Sequence, residues 1–468
     1  MIWDYLKYQD NTAVETEDRF LSYGNLHQVT SEIASHIPER ALVFVLAGNT
    51  VGSLAGYAAF LNHGIVPLML DEKIDRDLLA DLTARYRPQY LWAPEEASDG
   101  FGTYEAVFRT LGYVLLKTNI PDPWPLHEDL ALLINTSGSV GVPKLVRQSR
   151  RNITANAQSI IEYLGITESE KAVTSLPMNY VYGLSVINTH LMAGASIVVT
   201  DESCYKGAFW KLFNEKQVTS FSGVPFMYEM LFKLRITKKS LPSLKTLTQA
   251  GGKLSPELQQ FFSQYAADNG KRFFVMYGAS EATSRMGYLP WQDALRKSGS
   301  MGIPIPGGRY ELADEDGNVI TEAGKTGELV YYGENVMMGY AECGEDLAKA
   351  DELHGRLLTG DMAYRDEDGY YYVAGRKKRF IKLLGKRLSL DETELRLKKL
   401  FDTADLACAG TDDRLRVFVT DAALEAPVTE YLTKTALINP GLCRVRVIPE
   451  IPKNASGKTL YGKLNEMD

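Results

Sequence analysis

The sequence predicts an α/β protein with a large N-terminal domain and a small C-terminal domain. From about residue 130, short runs rich in β-branched residues alternate with longer segments of helical periodicity, as expected for parallel strands joined by helices. After about residue 300 the pattern changes to short strands and turns. The length of 468 residues exceeds that of a usual single domain. We therefore expect an α/β core, a β-rich subdomain and a smaller α+β domain.

The elements of the α/β core follow from their local sequences. LALLINT, residues 130–136, predicts a buried strand, and RRNITANAQSIIEYLG, residues 150–165, predicts the helix that follows a Gly-rich segment. Ser255 and Pro256 are favoured at a helix start. The order strand, helix, strand recurs in ASIVVT, FWKLFNEKQ and VTSFSGV and then in LKTLTQAGG, SPELQQFFSQYAADNG and RFFVMYG. This repetition predicts a largely parallel sheet.

The last third of the chain predicts the β-rich subdomain and the C-terminal domain. Asp-Gly pairs flank alternating apolar residues in GGRYELADEDGNVITEAGKTGELVYYG, residues 307–333, which indicates hairpins. After GYYYVAGR, strands mix with short helices such as DETELRLKKLF. A charged junction begins at Arg376. We therefore place the N-terminal domain at 1–375 and the C-terminal domain at 376–468.

Charge and composition exclude several classes of protein. The net charge is -8, so general attraction to nucleic acid or anionic lipid is not expected. The four cysteines are far apart and fit no metal-binding spacing, which favours reduced thiols and a cytoplasmic location. The N-terminus lacks the pattern of a signal peptide, and no run of about 18 apolar residues predicts a membrane span.

The stretch NTSGSVGVPK, residues 135–144, predicts a phosphate-binding loop. Gly- and Ser-rich loops after a buried strand can direct several backbone N–H groups and hydroxyls to one anion, and Lys144 adds a cation. A structural hairpin turn is the alternative interpretation. The Walker loop is excluded, because Pro143 precedes Lys144, and Pro452 occupies the required first glycine before SGKT at 456–459.

Several motifs in this chain resemble those of the adenylate-forming superfamily, which includes acyl-CoA and aryl-CoA synthetases, adenylation domains of peptide synthetases, and luciferases. The resemblance begins with TSGSVGVPKLV at 136–146 and continues, in the family's order, over some 320 residues. The ordered motifs make chance similarity untenable. The further matching segments are YGASE, TGELVYYGENVMMGY, TGDMAYRDEDGYYYVAGR, IKLLGKR and PKNASGK.

The resemblance implies roles in the attack of a carboxylate on the α-phosphorus of ATP, with release of pyrophosphate. Lys458 would bridge the carboxylate and the α-phosphate, Ser280 would hydrogen-bond that phosphate, and Glu281 would hold Mg²⁺. These three are the implied catalytic residues. The implied ATP-binding residues are Thr136, Ser137, Gly138, Ser139, Gly141, Lys144, Gly251, Gly252, Tyr277, Gly278, Asp361 and Arg376. Among them, Asp361 would accept both ribose hydroxyls.

The resemblance also implies a second step, in which a thiol attacks the acyl carbon after a small, mobile C-terminal domain swings about a hinge. Lys378 matches the hinge. CoA is the expected acceptor, and a phosphopantetheine-bearing carrier protein is the alternative. The basic neighbours of the hinge are expected to meet this anionic acceptor. They are Lys377, Arg379, Lys382, Lys386 and Arg387.

The segment SLPMNYVYGLS, residues 175–185, resembles the opening of the family's acid pocket. Asn179 and Tyr180 occupy positions where amino-acid-activating relatives place an aspartate for the α-ammonium group. Because a buried cation needs a counter-charge, this favours an acid without an α-amino group, although a more distant carboxylate remains an alternative. Tyr180 and Tyr182 would form either aromatic pocket walls or core packing.

The predicted function is therefore ATP-dependent acyl-adenylate formation followed by transfer to CoA or to a carrier protein. An inactive nucleotide-binding relative is the alternative from another class, and retention of Glu281, Asp361 and Lys458 opposes it. A hydrolase is not supported, since the chain has six histidines and no GxSxG motif.

Overall fold

The fold is described from a computed structural model, which describes residues 1–135, 144–383, 386–436, 438–453 and 459–467. The chain divides into two compact units. The core unit comprises residues 1–309 and 332–357, and the C-terminal unit comprises residues 310–331 and 358–468. The predicted boundary at residue 375 lies inside the second unit, and the extent of an independently moving domain stays a prediction.

The strands are numbered in chain order. They are β1 Thr12–Glu15, β2 Phe20–Ser22, β3 Leu42–Ala47, β4 Val66–Asp71, β5 Tyr90–Pro94, β6 Glu105–Thr110, β7 Tyr113–Lys117, β8 Leu130–Asn135, β9 Leu145–Ser149, β10 Lys171–Val173, β11 Ser196–Val198, β12 Ser220–Gly223, β13 Thr246–Gln249, β14 Arg272–Tyr277, β15 Gly287–Leu289, β16 Ile303–Pro304, β17 Arg309–Ala313, β18 Gly327–Tyr332, β19 Gly339–Ala341, β20 Arg356–Arg365, β21 Tyr371–Arg376, β22 Phe380–Leu383, β23 Lys386–Ser389, β24 Leu406–Thr411, β25 Arg414–Val419 and β26 Cys443–Val447.

The α-helices are numbered in the same way. They are α1 Tyr23–Ser35, α2 Val51–His63, α3 Arg76–Tyr86, α4 Arg150–Leu164, α5 Val181–Ala193, α6 Gly207–Glu215, α7 Pro225–Lys233, α8 Pro256–Asp268, α9 Leu390–Leu400, α10 Glu425–Glu430 and α11 Tyr461–Glu466. In the part of the chain that the structure describes, none of these helices has both the length and the apolar character needed to cross a bilayer.

The core unit contains two large mixed sheets. One has the strand order β19-β9-β8-β4-β3-β5-β7-β6, and the other has the order β16-β15-β14-β13-β12-β10-β11-β1-β2. In both, the central strands run parallel and the edge strands run antiparallel. The predicted α/β class, with its largely parallel sheet, is confirmed.

Strand β3 shows why the first of these sheets is buried on both faces. All six of its residues are buried, and side chains alternate between the faces of a strand. Leu42, Phe44 and Leu46 pack in one apolar cluster, whereas Val43 and Val45 pack in another. Such a continuous apolar run is typical of a strand covered on both faces.

Two helix starts confirm the local predictions. Ser255 accepts a hydrogen bond from the Leu258 amide at the start of α8, directly before Pro256. At α4, Ser149 and Asn152 form a reciprocal capping box. Strand β9 lies between the Gly-rich segment and α4. The sequence interpretation missed this strand. Its pairing with β8 is antiparallel, with Asn135 opposite Leu145.

The C-terminal unit combines a four-stranded sheet of order β17-β18-β20-β21 with the β22-β23 hairpin and the three-stranded sheet β24-β25-β26. Helix α9 packs its Leu390 and Leu397 side chains against Leu406 and Val417 of the three-stranded sheet. The mixture of short strands and helices confirms the α+β character that the sequence predicts for this region.

Arg147 supplies the first test of the packing. Its side chain is fully buried and pairs with Glu352, and its Nε donates to the Tyr340 carbonyl at 3.2 Å. We expect Arg147→Met to lower the free energy of unfolding by about 2 kcal/mol, because it leaves a carbonyl and a carboxylate without their donor. The measurement is urea denaturation.

The matched control is Arg151→Met. Arg151 also pairs with a glutamate, Glu334, at 2.5 Å, but its side chain is 73% exposed. We expect a change within experimental error, since exposed ion pairs contribute little. Equal effects of the two substitutions would contradict the importance assigned to burial.

Candidate active site

A tight turn at the carboxyl end of β14 carries the predicted catalytic residues Ser280 and Glu281. The two residues lie on a single 3₁₀ turn, Ser280–Ala282. Gly278 is required just before it, because a Cβ atom there would lie 1.7 Å from the Ser284 carbonyl oxygen. Thr283 closes the turn with φ at 58°, a conformation that β-branched residues rarely adopt.

Buried amide side chains hold this turn. Asn335 Nδ2 donates to the carbonyls of Ala282 and Arg285, both at 2.8 Å, and the Asn335 carbonyl accepts from Thr283 Oγ1 at 2.7 Å. Gln148 Nε2 donates to the Ser280 carbonyl at 3.1 Å. Sequence reasoning missed both amides, although Asn335 lies inside the matched segment TGELVYYGENVMMGY.

The structure brings Lys144 and Glu281 to the same place. Tyr340 donates its hydroxyl to Glu281 Oε1 at 2.7 Å. Lys144 Nζ lies 5.8 Å from the centre of the Tyr340 ring and 2.5 Å from Glu342 Oε1. The Lys144 side chain is 52% exposed, so it remains accessible to an anion.

The Glu281 surroundings fit Mg²⁺. A carboxylate supplies the hard oxygen ligands that this ion prefers, and Mg²⁺ is commonly held by one or two carboxylates together with substrate phosphates. Within the described ranges there is no cluster of three or more acidic, histidine or cysteine side chains that could cage a metal by itself.

Predicted ATP-binding and acid-pocket residues lie at the same edge of the nine-stranded sheet. Strands β13 and β14 are parallel neighbours. Gly251 follows β13 and Tyr277 ends β14, so both lie at the carboxyl edge of the sheet, where α/β sheets bind ligands. Gly251 has φ at +85°, and a Cβ there would lie 2.6 Å from the Tyr180 hydroxyl. The Gly252 carbonyl accepts from Gln249 Nε2 at 2.9 Å.

The two tyrosines of the predicted acid pocket differ in environment. Tyr180 is half-buried beside Gly251, whereas Tyr182 is fully buried and donates its hydroxyl to the Thr248 carbonyl at 3.0 Å. Burial raises the pKa of Tyr180 despite the opposing charge of Arg285. Tyr182 thus belongs to the core, the packing alternative left open by the sequence.

Asn179 contacts a carboxylate that sequence reasoning did not place here. Its Nδ2 lies 3.4 Å from Asp71 Oδ2, at the end of β4. Asp71 is exposed, and its other oxygen accepts from the Lys73 amide at 2.8 Å. No local motif signals this contact, since the two residues lie 108 positions apart.

In the C-terminal unit, Asp361 and Arg376 form a pair. They are opposite each other on β20 and β21, and Arg376 Nε lies 2.7 Å from Asp361 Oδ1. The Asp361 side chain is only 6% exposed. Its carboxylate is therefore oriented by a cation before any ligand binds. Lys378 lies on the next turn, Lys377–Arg379.

The expectation for Arg379, one of the basic neighbours of Lys378, needs correction. Arg379 is buried, pairs with Asp391 and donates to the Cys408 carbonyl at 2.9 Å. Lys377 Nζ lies 2.6 Å from Glu328 Oε2. Arg379 therefore does not offer its charge to an acceptor, whereas Lys377 remains accessible, with 55% of its side chain exposed.

Some predicted residues lie outside the described ranges. They are Thr136, Ser137, Gly138, Ser139, Gly141 and Lys458. Their roles stay predictions, as do the nucleotide contacts of the residues described above.

Comparisons with known proteins define the family. A family model described as AMP-binding enzyme matches residues 3–341. Indoleacetate–CoA ligase from Aromatoleum aromaticum is 27% identical, with 96% of this chain and 93% of that protein covered. The 2-succinylbenzoate–CoA ligase of Bacillus subtilis is 28% identical, with 72% of this chain and 68% of that protein covered.

Solved structures share the fold. O-succinylbenzoate coenzyme A synthetase from Bacillus subtilis, in complex with ATP and magnesium ion, aligns with a TM-score of 0.80 and 22% identity over 98% of each chain. Fold and motifs together define an adenylate-forming enzyme. The chain belongs to the AMP-binding enzyme family, which confirms the resemblance inferred from its motifs.

Gly278 provides a test of the turn. We expect Gly278→Ala to weaken ATP binding by at least about tenfold, equivalent to about 1.4 kcal/mol, because the added methyl displaces the turn that carries Ser280 and Glu281. Calorimetry with ATP and Mg²⁺ gives the measurement. Gly207→Ala is the control, since a Cβ there meets nothing within 4 Å; similar losses in both variants would contradict the explanation.

Proposed function

We propose that this AMP-forming acid–thiol ligase activates a carboxylic acid lacking an α-amino group and transfers the acyl group to CoA. The observation that carries the proposal is the placement of Glu281 and Lys144 around Tyr340, at a sheet edge that also presents Gly251 and Tyr180. A carboxylate for Mg²⁺, a cation for phosphate and a wall for the acid thus lie on one unit.

In the first step, a carboxylate oxygen bonds to the α-phosphorus of ATP as the bond to pyrophosphate breaks. Ser280 would hydrogen-bond the α-phosphate, while Lys144 and the preceding loop would bind the outer phosphates. Mg²⁺, when bound, offsets negative charge on the phosphates. Lys458 would stabilise the negative charge of the carboxylate and the α-phosphate as they approach each other. This stabilisation is needed only in the first step.

In the second step, the CoA sulfur bonds to the acyl carbon, AMP leaves with the bonding electrons, and the thiol proton passes to solvent. We propose that Lys378 is the hinge about which the C-terminal domain rotates between the two steps. Because Arg379 is engaged within its own unit, the acceptor hypothesis now rests on Lys377, Lys382, Lys386 and Arg387. CoA is preferred to a carrier protein because the similar curated proteins named above are CoA ligases.

The surroundings of Asn179 support the proposal of an acid without an α-amino group. An α-ammonium group bound away from water would need a buried carboxylate. Asp71 is the carboxylate beside Asn179, but it is exposed and already accepts a backbone amide. The acid-pocket opening therefore favours a substrate without that cation.

A pyrophosphate-exchange screen tests the whole proposal. Aliphatic, aromatic, hydroxy and amino acids are supplied with ATP and Mg²⁺, and positive acids are then tested with CoA and with a loaded carrier protein. We expect exchange with acids lacking an α-amino group and thioester formation with free CoA. Exchange with no acid, despite ATP binding, would support the inactive-relative alternative.

Lys458 separates the two steps. We expect Lys458→Ala to slow adenylate formation by about a hundredfold or more, because it removes a charge that stabilises the first transition state. Thioester formation from chemically supplied acyl adenylate should change little. Lys463→Ala, a lysine on α11, is the control; equal losses in both steps would disprove the assigned role.

Tyr340 tests the orientation of Glu281. We expect Tyr340→Phe to raise the Mg²⁺ concentration for half-maximal exchange by about tenfold, as is usual when a hydrogen bond to a ligand side chain is lost. Tyr332→Phe is the control, since its hydroxyl accepts from Arg356 Nε at 3.3 Å instead. An unchanged Mg²⁺ dependence in Tyr340→Phe would argue against Glu281 as a ligand.

A further inference from the structure

Hydroxyl side chains cover one face of the centre of the nine-stranded sheet. Strands β12 and β13 pair Ser220 with Thr246 and Ser222 with Thr248, so all four side chains lie on the same face. Ser222 and Thr248 are buried and hydrogen-bonded to each other at 2.9 Å. A buried polar stripe in the middle of a sheet departs from the apolar pattern of a core, and such departures are typical of functional sites.

These hydroxyls line a cavity of about 30 Å³. Helix α5 contributes Val186 and His190 to its walls. His190 Nδ1 lies 2.8 Å from the Val186 carbonyl, which can only accept, so Nδ1 carries the proton. The opposite ring atom, Nε2, is buried and has no hydrogen-bond partner among the described residues. It is therefore an acceptor left for water or for another hydrogen-bond donor.

Arg285 brings a positive charge to the same cavity. Its side chain is almost fully buried, with 3% of the residue exposed. The guanidinium carbon lies 3.9 Å from the centre of the Tyr182 ring, and the guanidinium also contacts Ser284 Oγ, Met276 Sδ and the Tyr163 side chain, all of them uncharged groups. In the ranges that the structure describes, Arg285 forms no ion pair with a carboxylate.

The one carboxylate in this wall is already engaged. Glu170 Oε1 lies 3.0 Å from Lys245 Nζ, and Oε2 accepts from Thr219 Oγ1 at 2.5 Å. Arg272, at the start of β14, donates to Thr246 Oγ1 at 2.8 Å and lines the same cavity. The cavity wall is therefore positive overall. A buried cation without a counter-charge is costly, and a bound anion would remove that cost.

Arg285 also lies next to the proposed acid-binding edge. It is four residues after Glu281 on the loop that follows β14, and Asn335 binds its carbonyl together with that of Ala282. The Tyr182 ring under its guanidinium lies 6.3 Å, centroid to centroid, from the Tyr180 ring. An acid held at Tyr180 would thus have the cavity within reach of its far end.

We propose that the acid activated by this enzyme carries a second anionic group, which enters the cavity and pairs with Arg285. The inference rests on the proposed function, because it assigns the substrate class of the same site. A second carboxylate is the simplest such group: it accepts two hydrogen bonds from a guanidinium. Arg285 is then a specificity-determining residue that takes no part in the bond-making step.

Paired acids of equal chain length test this proposal. Succinate, glutarate, adipate and isophthalate are compared with butanoate, pentanoate, hexanoate and benzoate in pyrophosphate exchange. We expect kcat/KM for the preferred dicarboxylate to exceed that of its monocarboxylate partner by at least about tenfold, since a site built for a polar group rejects the analogue without it.

Arg285→Met removes the charge at similar length. We expect the ratio of the two kcat/KM values to fall at least about tenfold, while Arg285→Lys retains part of the preference. The unfolding midpoint of Arg285→Met should not fall, because replacing an uncompensated buried charge by an apolar side chain is often neutral or stabilising. A purely structural arginine would instead lower the midpoint and both rates together.

Binding supplies a second measurement that needs no turnover. Calorimetry of each acid with the Lys458→Ala protein, saturated with ATP and Mg²⁺, should show tighter binding of the dicarboxylate, and adding Arg285→Met should abolish the difference. If Arg285→Met fails to fold, the ratio of the kcat/KM values for dicarboxylate and monocarboxylate is measured with Thr248→Val and with the unmodified enzyme. This ratio still tests the proposal.

The outcomes separate the two proposals. A preference for monocarboxylates, or a ratio that Arg285→Met leaves unchanged, overturns the inference while adenylation itself stands. A failure of every dicarboxylate to bind and to support exchange also overturns it. The broad acid screen described above then decides whether adenylation fails as well.

Discussion

The buried side chain of Asn335 is the contact on which the rest of the site depends. Its amide donates to the carbonyls of Ala282 and Arg285, and its main-chain carbonyl accepts from Thr283 Oγ1. The turn that it binds holds Thr283 in a left-handed conformation, which is unfavourable for a threonine unless surrounding contacts enforce it. Because all these groups are buried, leaving any of them unpaired would be costly. The turn therefore has one conformation, which fixes the position of Glu281.

The same turn links two kinds of chemistry. On its first side, Glu281 is accessible and accepts a hydrogen bond from Tyr340, as suits the metal-binding role proposed for it. On its other side, Arg285 is buried against the Tyr182 ring, as suits the substrate-selecting role proposed for it. Local arrangement matters more than total charge here. The chain is acidic overall, with a net charge of -8, yet it concentrates cations where anions are expected to bind.

Much of the fold after residue 130 was predictable because local patterns and tertiary packing agree there. The strand LALLIN and the helix capped by Ser255 lie where the sequence predicts them. The eight-stranded sheet was not anticipated, although LVFVLA of β3 and VPLMLD of β4 carry the apolar runs of buried strands. Strand β9 was missed because its LVRQS contains Arg147, whose burial depends on Glu352 and on carbonyls some 200 positions away.

The sequence by itself determined the family, the α/β class and the identity of the turn residues, because each depends on short segments whose chemistry is local. Only the tertiary structure decided which of two similar side chains is buried and what compensates its charge. Tyr180 lies beside Gly251, whereas Tyr182 is in the core. Arg379 is matched by carboxylates, whereas no carboxylate pairs with Arg285 in the ranges that the structure describes. The physical reason is that burial and charge compensation are set by partners distant in the chain, and no local pattern records those partners.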